Sequence, residues 1–300
     1  MAESFGGPEV LNVREVAVPH PEPGRVRVRV TAASLNPVDW KVLANAQTAA
    51  AFGVTLPAGF GNDFAGVVDE VGDGVTDFAV GDRVFGGAFG RALADHVVVD
   101  PAVDRIRHTP DGLDDVTAGT LDIAARTADA ALRVIGLVAR DTVLVGGAAG
   151  GVGVFTVQLA RLAGARVIGT ASEASFEFLR GLGAEPVAYG EGLADRVRAL
   201  APDGITAATD LHGTEAAIVA SELGVPAERI STIAAHGVAL SAKATGAGAS
   251  DPGTLDRVAA LIVDGQLTVP VAATYPLEQI RDAVALQAAG HIHGKVVVTL

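Results

Sequence analysis

The chain has 300 residues, enough for one large or two ordinary domains, and 49% of them are hydrophobic, ample for a core. A formal net charge of −13 repels phosphate backbones, which makes nucleic acid and anionic membrane surfaces poor partners. There is no cysteine, which excludes disulfides, thiolate zinc sites and a cysteine nucleophile. No basic segment leads into an apolar core near the N-terminus, so no signal peptide is visible and a soluble cytoplasmic protein is expected.

Residues 1 to about 110 read as an all-β module. Pro19, Pro21, Pro23 and Gly24 make a turn, and residues 25–30 then alternate arginine with valine, the pattern of a half-exposed strand. Further strands are expected at 65–71, 83–85 and 96–99, punctuated by Asp73-Gly74 and Gly81-Asp82. Strands this short and this closely spaced suggest a small barrel. Residues 44–52, polar and rich in alanine, carry no assignable pattern. From residue 111 a long helical pattern opens, with Val116, Ile123, Ala124, Ala131, Leu132 and Ile135 at near-helical spacing and Gly136 as its stop.

The rest of the chain is organised around residues 142–160. Val143, Leu144 and Val145 form a continuous apolar run, which reads as a strand buried on both faces in a parallel sheet. Gly146, Gly147, Gly150, Gly151 and Gly153 interrupt it, and Val154, Val157, Leu159 and Leu162 then fall on one side of a helix. Strand, glycine loop and helix in that order form a phosphate cradle. The loop lets a diphosphate approach backbone N–H groups, and the helix N-terminus adds unpaired N–H groups and a positive dipole end. Although the stretch carries no charge, five glycines in its middle argue against a membrane span.

Downstream, strands at 166–168, 185–189, 205–211 and 229–234 alternate with helices at 176–182, 193–200 and 215–223. This is the pattern of a doubly wound parallel sheet. A sixth strand is expected near 238–242, then a glycine- and serine-rich stretch at 246–253 and a helix at 254–263. The tail holds a helix at 277–288, stopped near Gly290, and a strand at 295–300. The expected fold class is thus α/β.

The second strand of the sheet bears on cofactor choice. In NAD-binding units an acidic residue ends this strand and accepts hydrogen bonds from the ribose hydroxyls. Here that position is Ala171, which leaves room for a 2′-phosphate, and the Ser172 hydroxyl can donate to phosphate oxygens. Arg180 is the nearest cation in sequence, while the charge of Glu173 opposes the preference. NADPH is expected over NADH. Asp210, His212 and Gly213 end a later strand, at the sheet edge where ligands bind in such folds. His212 reads equally well as a nicotinamide contact and as a surface histidine.

Seven motifs occur in order along the chain: Phe5-Gly-Gly-Pro-Glu-Val-Leu11, Asn36-Pro-Val-Asp39, Gly61-Asn-Asp-Phe-Ala-Gly-Val-Val68, Gly81-Asp-Arg-Val-Phe85, Gly147-Ala-Ala-Gly-Gly-Val-Gly153, Leu182-Gly-Ala184 and His293-Gly-Lys295. In them the chain resembles the zinc-independent NADPH:quinone oxidoreductases of the medium-chain dehydrogenase/reductase superfamily. The resemblance implies a GroES-like β-barrel catalytic domain at 1–110 and 266–300, a Rossmann domain inserted at 111–265 so that the tail returns to the barrel, and NADPH in the cleft between them. It implies cofactor contacts from Ala148, Ala149, Gly150, Gly151, Val152, Gly153, Ala171, Ser172, Tyr189, His212 and Ala234. Tyr189 lies where related reductases place a phosphate-contacting tyrosine. It also implies a homodimer, paired through Rossmann edge strands around residues 238–242. Two features depart from the family. The strand that usually precedes Phe5 is nearly absent, so the first barrel strand is expected to be short or missing. A tyrosine common just after the Asn-Pro segment is replaced by Trp40 and Lys41.

Two other dehydrogenase classes share parts of this pattern. The spacing Gly147-x-x-x-Gly151-x-Gly153 also fits short-chain dehydrogenases, but neither Tyr189 nor Tyr275 has a lysine four residues later. Zinc-dependent alcohol dehydrogenases need cysteine and histidine ligands, and here cysteine is absent and the seven histidines are scattered. The expected chemistry is therefore hydride transfer without metal, from the nicotinamide to a carbon conjugated to a carbonyl, achieved mainly by positioning. Charge developing on the substrate oxygen needs a donor. Asn36, Asp39, Trp40 and Lys41 are the candidates, each with a plainer reading as turn residue, cleft wall or solvated charge. The expected function is NADPH-dependent reduction of quinones or α,β-unsaturated carbonyls. Alternatives are an enoyl reductase acting on a biosynthetic, polyketide-like intermediate and a non-catalytic NADPH-binding protein.

Overall fold

A computed structural model describes residues 1–234 and 242–300. Before the first strand lie only a 3-10 turn at Pro8–Val10 and isolated bridges from Ala2 to Leu11 and Ala58. β1 (Val26–Leu35) buries Val26, Val28 and Val30 and turns Arg27 and Arg29 to the other face, so the alternation fixes its register. From Ala32 to Leu35 every residue is buried. α1 (Pro37–Lys41) opens with proline, whose missing N–H costs nothing at a helix start. The patternless 44–52 stretch contains α2 (Ala46–Ala51), where alanine propensity is helped by Asn45, whose Oδ1 accepts the Thr48 N–H at 2.9 Å. β2 (Asp63–Val71), β3 (Arg83–Gly87), β4 (His96–Val99) and β5 (Arg105–His108) complete the N-terminal strands.

The expected long helix after residue 111 is two helices, α3 (Asp115–Ala118) and α4 (Leu121–Val134). They break at Gly119, which passes so close to β1 that a Cβ there would lie 2.9 Å from the Ala32 carbonyl oxygen. Then follow β6 (Thr142–Gly146), α5 (Gly153–Leu162), β7 (Arg166–Ala171), α6 (Phe176–Gly181), β8 (Glu185–Ala188), α7 (Leu193–Leu200), β9 (Ala207–Asp210), α8 (Glu215–Glu222), β10 (Ile230–Thr232) and β11 (Lys243–Ala244). Of the sixth strand expected at 238–242, residues 238–241 lie outside the described residues. The chain ends with α9 (Thr254–Val263), β12 (Val271–Pro276), α10 (Ile280–Ala289) and β13 (Lys295–Thr299). Gly290, at φ 73°, stops α10.

The chain divides into two compact units, with one cut inside α4. The first comprises Met1–Ile123, Leu255–Gln266 and Val271–Leu300. Its seven-stranded sheet runs β12-β13-β1-β2-β3-β5, with β4 also pairing β1. Val28, Val30, Phe64, Val84, Val97 and Ile106 fill one core of this unit.

The second unit comprises Ala124–Thr254 and Leu267–Pro270. Its six strands are all parallel, in the order β8-β7-β6-β9-β10-β11. That is the 3-2-1-4-5-6 order of a doubly wound nucleotide-binding sheet, whose switch point lies between β6 and β9. Leu144, Ile168, Val187, Leu193 and Ile230 pack its core. α5 departs from the single stripe expected of it: Phe155, Thr156 and Gln158 are buried with Val154 and Val157, while Leu159 is half-buried and Leu162 is exposed. Gln158 is tolerated there because both ends of its amide pair with the Thr268 backbone, at 2.8 and 2.9 Å. Among the described residues, no helix is long and apolar enough to cross a membrane.

Candidate functional site

The glycine loop joins β6 to α5. Gly147 adopts φ 71°, open to glycine at little cost, and its N–H donates to the Thr170 Oγ1 at 3.1 Å. The Ala148 N–H donates to the Thr170 carbonyl at 3.2 Å, and the Gly150 N–H returns to the Gly147 carbonyl at 3.2 Å. These bonds pin the loop onto β7. Gly153 fits where nothing larger can: a Cβ would lie 2.3 Å from the Gly147 oxygen and 2.4 Å from the Ala148 oxygen. The N–H groups of Ala149, Gly151 and Val152 have no partner within the described residues. Three free amides at the start of a ten-residue helix fit the diphosphate of a dinucleotide. The amides of Ala148 and Gly150, also expected to bind it, are occupied in shaping the loop.

Of the other predicted contacts, His212 lies against this loop, and Ala171, Ser172, Tyr189 and Ala234 sit at the carboxyl ends of β7, β8 and β10. His212 is exposed, and a Cβ on Gly147 would lie 2.9 Å from its own Cβ. Buried Asp210 fixes this corner by accepting the N–H groups of His212, Gly213 and Ala216 at 3.1, 2.8 and 2.9 Å. Asp210 thus acts as a cap for the turn and α8, a task that sequence alone did not reveal. Ala171 ends β7, Glu173 follows two residues later in a 3-10 turn, and the Ser172 hydroxyl lies 3.2 Å from that of Ser175. Tyr189 follows β8 and is 49% exposed. Arg180 pairs with Glu177 one turn away on α6, so its charge is partly spent there. The Ala234 N–H donates to the Thr232 Oγ1 just past β10.

In the first unit, two of the four expected catalytic residues belong to a buried polar network. Asn36 and Asp39 are 3% and 7% exposed. The Asp39 carboxylate accepts the Asn36 N–H at 2.6 Å, as in a capping box, and the amide of buried Asn62. The Asn36 side chain donates to Asp63 at 2.9 Å and accepts from Lys295 at 2.6 Å. Asp63 also accepts from the Ser34 hydroxyl at 2.8 Å and the Ile123 N–H at 3.0 Å. Lys295 Nζ lies 3.5 Å from Asp63 and donates to the Leu35 carbonyl. Beside them Arg105 holds fully buried Asp122 through two bonds, at 2.8 and 2.9 Å.

Burial dominates the titration of this cluster. It pushes the Asp39 carboxyl up to about 8, with the charge of Asp63 adding to it and two N–H donors and Lys295 opposing. Burial also raises Asp63, against the pull of Lys295, and lowers the Lys295 ammonium, against Asp63 and Asp39. Trp40 and Lys41 stand apart from this network. The Trp40 Nε1–H is committed to Gln287 at 3.0 Å, and exposed Lys41 sits 5.6 Å from the Trp40 ring centroid. Asn62, Asp63 and Lys295 were not among the expected site residues, although each lies in a motif that carries the family resemblance. Among the described residues, no three histidine or acidic side chains gather as a metal ion would require.

Comparison with known proteins agrees with this architecture. Residues 22–101 match the model of the alcohol dehydrogenase GroES-like domain, and residues 182–298 that of the zinc-binding dehydrogenase. A quinone oxidoreductase of Pseudomonas aeruginosa is 38% identical over 172 residues, 56% of this chain and 51% of its own length. The chain spans about half the length of the curated quinone oxidoreductases it matches. A mycocerosic acid synthase-like polyketide synthase of Mycobacterium tuberculosis is 30% identical over 93% of this chain, which is 14% of that protein. The solved structure of the quinone oxidoreductase from Coxiella burnetii superposes with a TM-score of 0.87 at 27% identity, covering 100% of this chain and 98% of that one. With its GroES-like strands, its doubly wound sheet and these relatives, the chain belongs to the quinone oxidoreductase family of the medium-chain dehydrogenase/reductase superfamily.

Proposed function

We propose that the protein is an NADPH-dependent, zinc-independent reductase of quinones or α,β-unsaturated carbonyl compounds. The observation that carries this reading is the glycine loop with three free amides, followed by a β7 that ends in Ala171 instead of an acid. Bound there, NADPH supplies the hydride. The amides of Ala149, Gly151 and Val152 hold its diphosphate, and Ser172 and Tyr189 take the 2′-phosphate. His212, beside Gly147, contacts the nicotinamide half. On the substrate side, Asn36 keeps a second amide proton beyond the one given to Asp63, and Lys41 offers an exposed ammonium. Either can donate to an oxygen that gains charge, while Trp40 forms a wall and Asp39 fixes Asn36. The absence of cysteine supports chemistry without zinc. We also read the protein as a homodimer, which light scattering at micromolar concentration tests; a monomer refutes it.

A second reading is favoured by the match to a polyketide synthase over nearly the whole chain: reduction of an enoyl thioester in a biosynthetic sequence. One panel separates the readings. NADPH oxidation is followed spectrophotometrically with quinones, simple enones and an enoyl thioester, each with and without a strong chelator. Turnover of quinones that survives the chelator is expected. Turnover of the thioester alone would replace the first reading with the second. Cofactor binding without turnover of any of them would make the protein a non-catalytic binder.

A further inference from the structure

Ala171 and Ala188 are register partners, so β7 and β8 end side by side and Ser172 and Tyr189 leave the sheet together. The loop that Tyr189 begins therefore lies next to the strand end where a dinucleotide places its adenosine ribose. This loop is costly to order. Gly190 and Gly192 both adopt the left-handed region, at φ 90° and 77°, and glycine loses more freedom on folding than any other residue.

Arg196, in the first turn of α7, clasps the loop. Its Nε–H donates to the Ala188 carbonyl at 3.0 Å and its Nη1 to the Glu191 carbonyl at 2.8 Å. Its Nη2 donates to the carbonyls of Tyr189 and Gly190, at 3.2 and 3.0 Å. One planar fork thus holds four consecutive carbonyls, a fit that the point charge of a lysine does not make. From the other side, the Gly190 N–H donates to Glu215, the first residue of α8, at 2.8 Å. The bonds of Arg196 all go to neutral carbonyls, and it forms no ion pair among the described residues. Arg166, Arg180 and Arg198 are each paired with a carboxylate. Arg180, the cation expected near the phosphate, is thus bound to Glu177, whereas Arg196 bonds the backbone of Tyr189 itself.

We propose that Arg196 is the residue that makes this pocket select a 2′-phosphate. It positions Tyr189 by clasping its loop, and its unpaired charge attracts the phosphate. This rests on the reading of the chain as NADPH-dependent and names a determinant outside the end of β7. A phosphate monoester carries about 1.5 to 2 negative charges at neutral pH, whereas NADH has only a hydroxyl at that position. A cation with no carboxylate partner therefore favours NADPH, offsets the opposing charge of Glu173, and loses influence as salt screens it.

The test is calorimetric titration of the full chain with NADPH and NADH, at low and at high salt. Arg196→Met should weaken NADPH about tenfold and leave NADH within about twofold, because only the phosphate meets the lost charge. The salt sensitivity of NADPH binding should fall to that of NADH in this variant, a change that the loss of a mere loop staple does not produce. Arg196→Lys keeps the charge and gives up the fork, so it should lose only about threefold for NADPH and retain the salt sensitivity. NADH binding by each variant shows that it folds. Equal losses for the two cofactors would make Arg196 a structural clasp alone and overturn the proposal. So would unchanged NADPH affinity in Arg196→Met, or a salt sensitivity that survives the loss of the charge. Arg196→Lys decides alone if Arg196→Met does not fold: a loss confined to NADPH supports the proposal, and a loss shared with NADH overturns it. If the unmodified protein binds both cofactors equally, the NADPH reading fails and the proposal with it. If it prefers NADPH and Arg196→Met keeps that preference, the proposal alone fails.

Discussion

The two units meet their proposed ligands with different parts of the polymer. In the second, the main chain does the work: Gly147 and Gly153 bend the loop, and the amides of Ala149, Gly151 and Val152 are left free. In the first, buried side chains do it: Asp39, Asp63 and Lys295, with Asn36 and Asn62 between them. A backbone cradle tolerates most side-chain changes and fails where a Cβ intrudes. A buried charge network fails wherever one partner is removed, because the charge left behind is uncompensated. The two units should therefore break in different ways.

The largest effect is expected at Asp63. It accepts from Ser34, Asn36 and Ile123 and is the carboxylate beside buried Lys295. Asp63→Ala should cost about 3–5 kcal/mol of stability, the range for breaking a buried ion pair. Urea unfolding measures it, and a loss near zero would mean that the network is not closed as described. A smaller effect belongs to the cradle. Gly153→Ala should cost about 1–3 kcal/mol, spread between folding and NADPH affinity, because the new methyl meets two backbone oxygens. Gly150→Ala, whose Cβ has only the Gly147 oxygen at 3.5 Å, should be tolerated by comparison. Equal losses for the two would contradict the geometry of the loop.

The same contrast decides what could be read from sequence. The glycine spacing and the apolar β6 announced the cradle, because main-chain recognition writes itself locally. The alternation of β and α patterns likewise marked the parallel sheet. By contrast, Asn36, Asp63 and Lys295 are far apart in the chain and meet only because β1, β2 and β13 are neighbours in one sheet. Nothing at Lys295 itself predicts burial; the only signal was that it closes a family motif. β5 and β12 went unrecognised for a related reason. Arg-Ile-Arg-His holds one apolar residue, and β12 has no fully buried residue and ends in proline. The split between α3 and α4 arises from close approach to Ala32, a contact that no helical periodicity records.

A subtler effect is expected with pH. In the folded chain the Asp39 carboxyl is raised from 3.8 to about 8 by burial and by Asp63. The folded state therefore holds a proton that the unfolded chain has released. Stability from this group is fully present below pH 3.8 and is lost as pH rises through about 8. Asp63, raised in the same direction, adds to the trend, while Lys295, lowered by burial, opposes it. Asp39→Asn cannot ionise. It loses one acceptor of the α1 cap but should flatten the profile, so that the gap to the unmodified protein narrows from pH 5 to pH 9. Parallel urea titrations across that range test it, and identical slopes would exclude Asp39 as a proton holder.

Parallel calorimetric titrations of the unmodified protein with NADPH and NADH test the cofactor reading most directly. NADPH should bind about tenfold or more tightly, because β7 ends in Ala171 and the Ser172 and Tyr189 hydroxyls can donate to a 2′-phosphate. Ala171→Asp should move the preference toward NADH. Equal affinity for the two cofactors in the unmodified protein would contradict the assignment of the pocket at the end of β7.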